Sequence, residues 1–313
     1  MSYSPTRDIL TRATGFMDAY DFTLNPYSGC SFGCSYCYAA FFSTTADERD
    51  NWGKWVRVKD NAIDLMRKKI KGKHKDKNGN WKPNNESLIY MSSVTDPYQP
   101  IERRLELTRG LLKILASQDE PPQEIGTTKA LFELNAPYKT DEARHKPKLV
   151  VQTRSPDVVR DVDLFQQIEA NGGRVQVNMT VTTDDEDIRR TFEPFCPSNM
   201  ARLKAIGEVS NAGVQTCITM TPLLLVSQPY AFVESLLDTG VEKFIAQPFH
   251  FARGKFVAST RERAFDMMAE KLGCARSEFQ RTYMEHYDQV FAVLRDGLPN
   301  LGEGKGGFKP PFQ

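Results

Sequence analysis

The sequence predicts an α/β fold organised as a partial (β/α)6 barrel. Short apolar strand patterns alternate with longer helical patterns, and about six such strand–helix units follow one another. Sequential parallel strands joined by right-handed crossovers curl toward a barrel, although a doubly wound sheet has the same alternation. The residues whose side chains could bind metals or take part in catalysis come just after the predicted strands, where a barrel has its active face. These observations together favour a catalytic barrel.

Each element is predicted from its own periodicity. The strands are short apolar or alternating runs at Asp21–Ser28, Ser87–Ser92, Leu149–Thr153, Arg174–Val181, Val214–Met220 and Lys243–Gln247. The helices repeat apolar residues every three or four positions over Asn61–Ile70, Arg104–Ser117, Val162–Ala170, Asn199–Ala212 and Tyr230–Thr239. Strand and helix therefore alternate through most of the chain.

The alternating region predicts a core over residues 21–252. Residues 1–20 are expected to form an N-terminal extension. Residues 253–313 are expected to form a C-terminal helical extension that ends in an irregular tail rich in Gly and Pro. Two polar stretches, near 71–85 and 119–148, interrupt the core pattern and are predicted insertions.

Composition excludes several classes of protein. The 41 basic and 40 acidic side chains nearly cancel, so the overall charge makes no case for nucleic acid or an anionic membrane as partner. No apolar run approaches the roughly 20 residues of a membrane-spanning helix. The first residues contain no apolar leader, so we expect a cytoplasmic protein. Six cysteines in 313 residues are too sparse for a disulfide scaffold.

Three of the cysteines, Cys30, Cys34 and Cys37, have the spacing C-x3-C-x2-C. Three thiolates favour an iron–sulfur cluster with one iron open to a substrate or cofactor, whereas four would close it for electron transfer. Gly29 and Gly33 would let the backbone wrap a bulky core. A structural zinc site needs a fourth ligand, and the nearest histidine in sequence is distant. A non-enzymatic zinc protein that binds nucleic acid and a ferredoxin-like module remain the alternatives.

The cysteine motif, with an aromatic residue before its last cysteine, resembles the signature of the radical S-adenosylmethionine (SAM) superfamily. The surrounding NPYSGCSFGCSYCYA is similar to the branch that contains spore photoproduct lyase and the DNA repair photolyase-like proteins. Three further segments resemble that branch, namely TDPYQPIE at 95–102, FEP at 192–194 followed by Arg202-Leu203, and TPLLL from Thr221. The resemblance covers roughly Asp21 to Phe251.

The resemblance implies a partial barrel of the radical SAM type and a definite first step. Its 4Fe-4S cluster binds SAM at the open iron and cleaves it reductively to a 5′-deoxyadenosyl radical, which abstracts hydrogen from the substrate. The protein orients these cofactors and excludes water. Flavodoxin or ferredoxin is implied as electron donor. The substrate is unassigned: nucleic acid is slightly favoured over a peptide or small metabolite.

The resemblance also implies roles for individual residues. Tyr36 would contact the adenosyl part of SAM, and Tyr38 would be catalytic on the hydrogen-transfer route. Arg154 would bind the SAM carboxylate, for which a guanidinium fork is suited; a surface ion pair is its alternative. The other expected SAM-binding residues are Thr95, Asp96, Asn178 and Thr221. For Asp96 the alternative is a turn cap before proline.

Three other features bear on function. Ser93 occupies the place of the hydrogen-donating cysteine of spore photoproduct lyase, and a serine O–H bond is too strong for that role, so lyase activity proper is not expected. The basic segment 67–77 could contact phosphates, although a solvated helix end has the same composition. Cys196, Cys217 and Cys274 carry no motif and are expected to be structural.

Overall fold

The computed structural model describes residues 1–117, 144–251 and 260–312. Its main element is an eight-stranded sheet in which the strands follow one another in the same order as in the chain. The first strand is antiparallel to the second, and all the later pairs are parallel. The strands are Leu10–Arg12, Phe22–Leu24, Leu88–Met91, Lys148–Thr153, Arg174–Thr180, Gln215–Met220, Phe244–Ala246 and Leu301–Glu303.

Helices connect and cover these strands. The α-helices of the described residues are Ala46–Asp50, Ala62–Ile70, Glu102–Leu105, Leu107–Leu115, Val162–Ala170, Glu186–Phe192, Asn199–Asn211, Pro229–Leu237, Glu262–Leu272, Phe279–Gly297 and Gly304–Gly307. Short 3-10 helices cover Gly15–Met17, Tyr38–Phe42, Asn84–Glu86 and Pro156–Asp161. A small sheet joins Ser2–Tyr3, Arg57–Val58 and Tyr27–Ser28, and a hairpin pairs Lys73–Lys75 with Trp81–Pro83.

The central strands are buried on both faces, as parallel strands in α/β proteins usually are. In strand Arg174–Thr180, Val175, Val177 and Met179 are inaccessible and belong to the main apolar core. The intervening residues are also buried but polar, and they hydrogen-bond to one another across neighbouring strands. The sheet therefore has one apolar face against helices and one face that carries polar side chains.

The predicted large parallel sheet is present, and it is wider than the six strands expected. The additional strands come from the expected extensions: Leu10–Arg12 from the N-terminal one and Leu301–Glu303 from the tail. The prediction of an irregular tail is therefore wrong for these residues. Strands of three residues with no alternation give no periodic signal, which explains why they were missed.

The two edge strands are not paired with each other in the described part of the chain. Side chains nevertheless connect their neighbourhoods. The Tyr20 hydroxyl donates to the Phe308 carbonyl oxygen at 3.1 Å, and the Lys305 ammonium lies 2.9 Å from the Asp18 carboxylate. These contacts connect the two edges of the sheet. The partial barrel remains a prediction.

The polar stretch near 71–85, predicted as an insertion, contains the hairpin. Within it, His74 Nε2 lies 3.3 Å from Asp21 Oδ1, and Lys82 Nζ lies 2.7 Å from the other oxygen of Asp21. Asp21 immediately precedes strand Phe22–Leu24. Because neighbouring parallel strands run in one direction, the basic hairpin lies at the amino edge of the sheet.

Residues 118–143, most of the second predicted insertion, lie outside the described residues, and so do 252–259 at the predicted end of the core. Over the residues that are described, no helix is both long and apolar enough to cross a bilayer.

Candidate functional site

The three motif cysteines lie in one loop at the carboxyl edge of the sheet, after strand Phe22–Leu24. Cys30 and Cys34 are buried, and Cys37 is half-buried directly before the 3-10 helix Tyr38–Phe42. All three belong to one packed cluster of side chains. The loop therefore gathers three thiols away from water.

Two glycines allow this loop conformation. Gly29 and Gly33 have φ values of +77° and +61°, which L side chains rarely adopt. Space is also short at Gly33, where an added Cβ would lie 3.1 Å from the Cα of Gly53. A second loop thus packs directly against the backbone between Cys30 and Cys34.

The segment after strand Leu88–Met91 braces the cysteine loop. The Thr95 hydroxyl donates to the Gly29 carbonyl oxygen at 2.6 Å. The Gln99 side-chain oxygen accepts from the Ser31 backbone N–H at 3.0 Å, and its amide donates to Thr95 Oγ1 at 3.2 Å. Thr95, an expected SAM-binding residue, is therefore brought to the site through the loop that it supports.

A turn between two helices forms a wall on another side of the loop. This turn, residues 192–196, connects helix Glu186–Phe192 toward helix Asn199–Asn211. The Ser35 backbone N–H donates to the Phe192 carbonyl oxygen at 2.8 Å. The Cys196 sulfur lies 3.6 Å from the Cys34 sulfur. A fourth thiol, expected to be only structural, therefore contacts a motif cysteine.

Arg154, at the end of strand Lys148–Thr153, links the wall to the loop. Its Nη1 donates to Cys34 Sγ at 3.0 Å and to Tyr36 Oη at 2.7 Å, and it lies 3.1 Å from Glu193 Oε1. The guanidinium also lies over the Tyr36 ring, 5.8 Å from its centroid. Arg154 is thus a buried site residue rather than half of a surface ion pair.

The surroundings of the three motif thiols shift their pKa values in different directions. The hydrogen bond with Cys196 and the Arg154 charge lower the pKa of Cys34, although burial opposes them. Burial raises the pKa of Cys30 well above its usual value, with contributions from Asp96 and the other motif thiols. Burial and the nearby Cys34 raise the pKa of Cys37 to about 11. Cys34 is therefore the motif thiol with the most favourable surroundings for negative charge.

Tyr38 and Asp96 lie beside the loop with their polar atoms engaged. The Tyr38 hydroxyl donates to the Ser93 carbonyl oxygen, and the side chain is about two-fifths exposed, at 41%. Asp96 accepts from the Tyr98 N–H, the Thr153 hydroxyl and the Arg154 N–H at 2.8–2.9 Å. Its buried carboxylate thus joins two strand ends, and its bond from the Tyr98 N–H has the form of the turn cap considered from the sequence; its role toward SAM stays a prediction.

The remaining expected residues lie on or after the polar face of the sheet. Asn178 is buried and donates to Gln152 Oε1 at 3.2 Å, while it accepts from Gln176 at 2.6 Å. Thr221 is half-buried and precedes a cis peptide bond at the end of its strand. Cys217 is inaccessible in an apolar cluster on this face, and burial raises its pKa to about 12. It is a packing residue there.

Sequence reasoning missed four residues of this site: Gln99, Glu193, Cys196 and Arg202. Gln99, Glu193 and Arg202 fall inside segments that carried the family resemblance, so a signal existed without an assigned role. Their contacts join residues far apart in the chain, and spacing does not reveal such contacts.

The donor set fits an iron–sulfur cluster. Three buried thiols in one glycine-containing loop, near a guanidinium, are the soft anionic ligands that iron–sulfur clusters use. In the part of the chain that the structure describes, no three His, Cys, Asp or Glu side chains are arranged to hold a single metal ion.

No protein-family model matches the sequence. Among curated proteins, an uncharacterized protein of Methanocaldococcus jannaschii is 30% identical over 204 residues, which are 65% of this chain and 60% of that protein. An uncharacterized protein of Mycobacterium tuberculosis is 24% identical over 207 residues, 66% of this chain and 50% of that protein. The chain thus spans only 50–60% of the length of these relatives.

Solved structures give a clearer comparison. Spore photoproduct lyase, in a structure with bound AdoMet and a dinucleoside spore photoproduct, superposes with a TM-score of 0.54 at 14% identity. The match covers 96% of this chain and 80% of the lyase. The chain has a radical SAM fold. This confirms the resemblance inferred from the cysteine motif, at the level of the fold.

Proposed function

We propose that the protein is a radical SAM enzyme that binds one 4Fe-4S cluster through Cys30, Cys34 and Cys37. The observation that carries the proposal is the convergence of these three thiols with Arg154 and Tyr36 at the carboxyl edge of a radical SAM fold. When bound, the cluster and SAM would supply reductive SAM cleavage and hydrogen abstraction from a substrate. The residues of the chain would bind and orient these groups and exclude water.

Each residue has a defined task in this proposal. Arg154 binds the SAM carboxylate through its planar fork. Tyr36 lines the adenosyl side and is held by its hydroxyl contacts. Tyr38, whose ring is partly exposed, is the catalytic residue on the hydrogen-transfer route. The buried thiol loop and its braces exclude water from the reacting atoms.

Three further residues complete the proposed SAM site. Asn178 lines it from within strand Arg174–Thr180, Thr221 lines it from just after the end of strand Gln215–Met220, and Thr95 reaches it beside Gly29. Asp96 contributes by fixing the backbone of Arg154. Flavodoxin or ferredoxin is the proposed electron donor.

The substrate is proposed at the level of class only. The lyase neighbour carries a dinucleoside spore photoproduct, which supports nucleic acid, and peptide or small-metabolite substrates remain open. Ser93 keeps its place beside Asn25 and Tyr38, and a serine cannot donate hydrogen as the lyase's cysteine would. We therefore propose modification or lyase-like chemistry other than spore photoproduct repair.

The test is anaerobic reconstitution with iron and sulfide, followed by dithionite and SAM. We expect about four irons and four sulfides per chain and formation of 5′-deoxyadenosine. A variant with all three motif cysteines changed to alanine is the control and should do neither. Reconstituted protein that holds iron and sulfide without ever cleaving SAM would overturn the proposal.

A second candidate is a zinc site with Cys196 as fourth thiolate, in a protein that binds nucleic acid without catalysis; the Cys34–Cys196 contact supports it, and the arrangement of the thiols in the described residues, which does not suit a single ion, counts against it. About one zinc per chain with no sulfide, lost on Cys196→Ala, would identify it.

If the protein instead cleaves SAM, deuterated candidate substrates would assign its substrate, because the label of the true substrate would appear in 5′-deoxyadenosine.

A further inference from the structure

Glu193 is a buried carboxylate at the centre of the candidate site. It lies in the turn 192–196, and its side chain is inaccessible to solvent. Oε1 accepts from the hydroxyls of Tyr36 and, at 2.7 Å, Thr182, and it lies 3.1 Å from Arg154 Nη1. One carboxylate oxygen therefore holds Tyr36 and Arg154, two of the residues that are proposed to contact SAM.

The other carboxylate oxygen of Glu193 pairs with a buried arginine. Oε2 of Glu193 lies 2.6 Å from Nη2 of Arg202, whose side chain is also inaccessible. Arg202 in turn donates to the carbonyl oxygens of Pro197 and Thr180 at 3.0 and 3.1 Å. The ion pair is thereby fixed to a strand end and to a helix start.

The charges of this group do not balance among themselves. Burial would raise the pKa of Glu193, but the charges of Arg202 and Arg154 and two hydroxyl hydrogen bonds lower it to about 2. The carboxylate is therefore ionised at neutral pH and faces two guanidinium groups. Arg154 also faces the Cys34 sulfur, and it is the more accessible of the two arginines, so a further anionic ligand would meet Arg154 rather than Arg202.

Arg154 has donors to spare for such a ligand. The hydrogen bonds of its guanidinium to side chains all use Nη1, and Nη2 and Nε have no partner among the described residues. Its side chain is 17% exposed, whereas that of Arg202 is fully buried. The guanidinium is thus held at one corner and open along the edge that would bind a carboxylate bidentately.

We propose that Glu193, anchored by Arg202, is the positioning residue that holds Arg154 in the orientation required to bind the carboxylate of SAM. The inference rests on the proposed function. It gives a role to the FEP segment and to the arginine that follows it. Glu193 itself does not contact the reacting atoms.

The test compares Glu193→Gln with Glu102→Gln. Glu102 is a matched control, because it is also buried and pairs with a tyrosine hydroxyl and with Arg160 at 2.8 Å, but it does not contact Arg154. The affinities for SAM and for decarboxylated SAM, which lacks the carboxylate, are measured by equilibrium dialysis on cluster-loaded protein. Iron content and thermal stability are measured on every variant.

We expect Glu193→Gln to weaken SAM binding about 10- to 100-fold, as loss of a supporting contact commonly does, and to leave binding of decarboxylated SAM unchanged. Glu102→Gln should alter stability without changing either affinity. Arg154→Gln should reproduce the loss, and the double variant Arg154→Gln/Glu193→Gln should be no weaker than Arg154→Gln alone.

Equal loss of both ligands in Glu193→Gln, or loss of neither, would overturn the positioning role. If Glu193→Gln does not fold, Thr182→Val removes one hydrogen bond to the same oxygen without changing charge. A smaller loss confined to SAM is then expected, and no change would count against the inference. Wild-type protein that loads iron but binds no SAM refutes the proposed function instead, before any variant is compared.

Discussion

The close approach of Gly53 to Gly33 gives a sharp prediction about the cysteine loop. Gly53 has a φ of +100°, and a Cβ there would lie 2.7 Å from the Cα of Gly33, between two motif cysteines. Gly79, in the turn of the basic hairpin, has a φ of +82° and nothing within 4 Å of its added Cβ. The variants Gly53→Ala and Gly79→Ala therefore share the backbone strain and differ in the clash.

The magnitude follows from these two terms. An L residue at positive φ costs about 1 kcal/mol, partly offset by a less flexible unfolded chain, and this applies to both variants. Forcing an atom into a packed backbone contact costs about 2 kcal/mol more and applies only to Gly53→Ala. For a chain of this size that difference lowers the melting temperature by about 3 °C.

The assay is thermal unfolding of the cluster-free protein under reducing, anaerobic conditions, followed by iron analysis after reconstitution. We expect Gly53→Ala to melt below Gly79→Ala and to load less iron, because the displaced backbone joins Cys30 to Cys34. Gly79→Ala should load iron normally. Equal melting temperatures and equal iron content in the two variants would refute the packing argument.

Three further outcomes are expected. Cys34→Ala should abolish reconstitution of the cluster, whereas Cys196→Ala should retain iron. Metal analysis measures both, and loss of iron in both variants would make Cys196 a ligand. Burial lowers the pKa of Lys59 to about 8, so between pH 8 and its usual value the unfolded chain binds more protons. Stability relative to Lys59→Met should then rise with pH in urea titrations, and a flat difference would contradict the burial. Charge reversal at Lys73 and Lys75 should leave SAM cleavage unchanged.

The central strands of the sheet were predicted well from the sequence, and the reason is physical. Strand Arg174–Thr180 and its neighbours alternate or run apolar because both faces are buried, so the pattern records the environment directly. The edge strands Leu10–Arg12 and Leu301–Glu303 have half of their surroundings outside the sheet and only three residues each. A pattern that short does not distinguish a strand from a loop.

The candidate site divides in the same way. The cysteines are close in sequence, so their spacing alone indicated the chemistry. Asp96 shows a limit of this reasoning, since its contacts with Thr153 and the Arg154 backbone were not predicted, while its role toward SAM stays a prediction. Glu193 and Arg202 show the same limit, because their contacts with Arg154 and with each other form only when the chain folds.

The two chemically conspicuous regions of the sequence also lie at opposite edges of the sheet. The cysteine loop follows the carboxyl ends of the strands, whereas the hairpin with Lys73, Lys75 and the exposed Trp81 adjoins Asp21 at the amino ends. A six-residue strand such as Lys148–Thr153 separates these edges by about 20 Å. A substrate as small as a dinucleotide would therefore not contact both, so the hairpin does not argue for a nucleic-acid substrate at the cluster. Only a polymer extending along the outside of the fold would touch the two regions at once, and a nucleic-acid substrate has to be argued from the carboxyl edge alone.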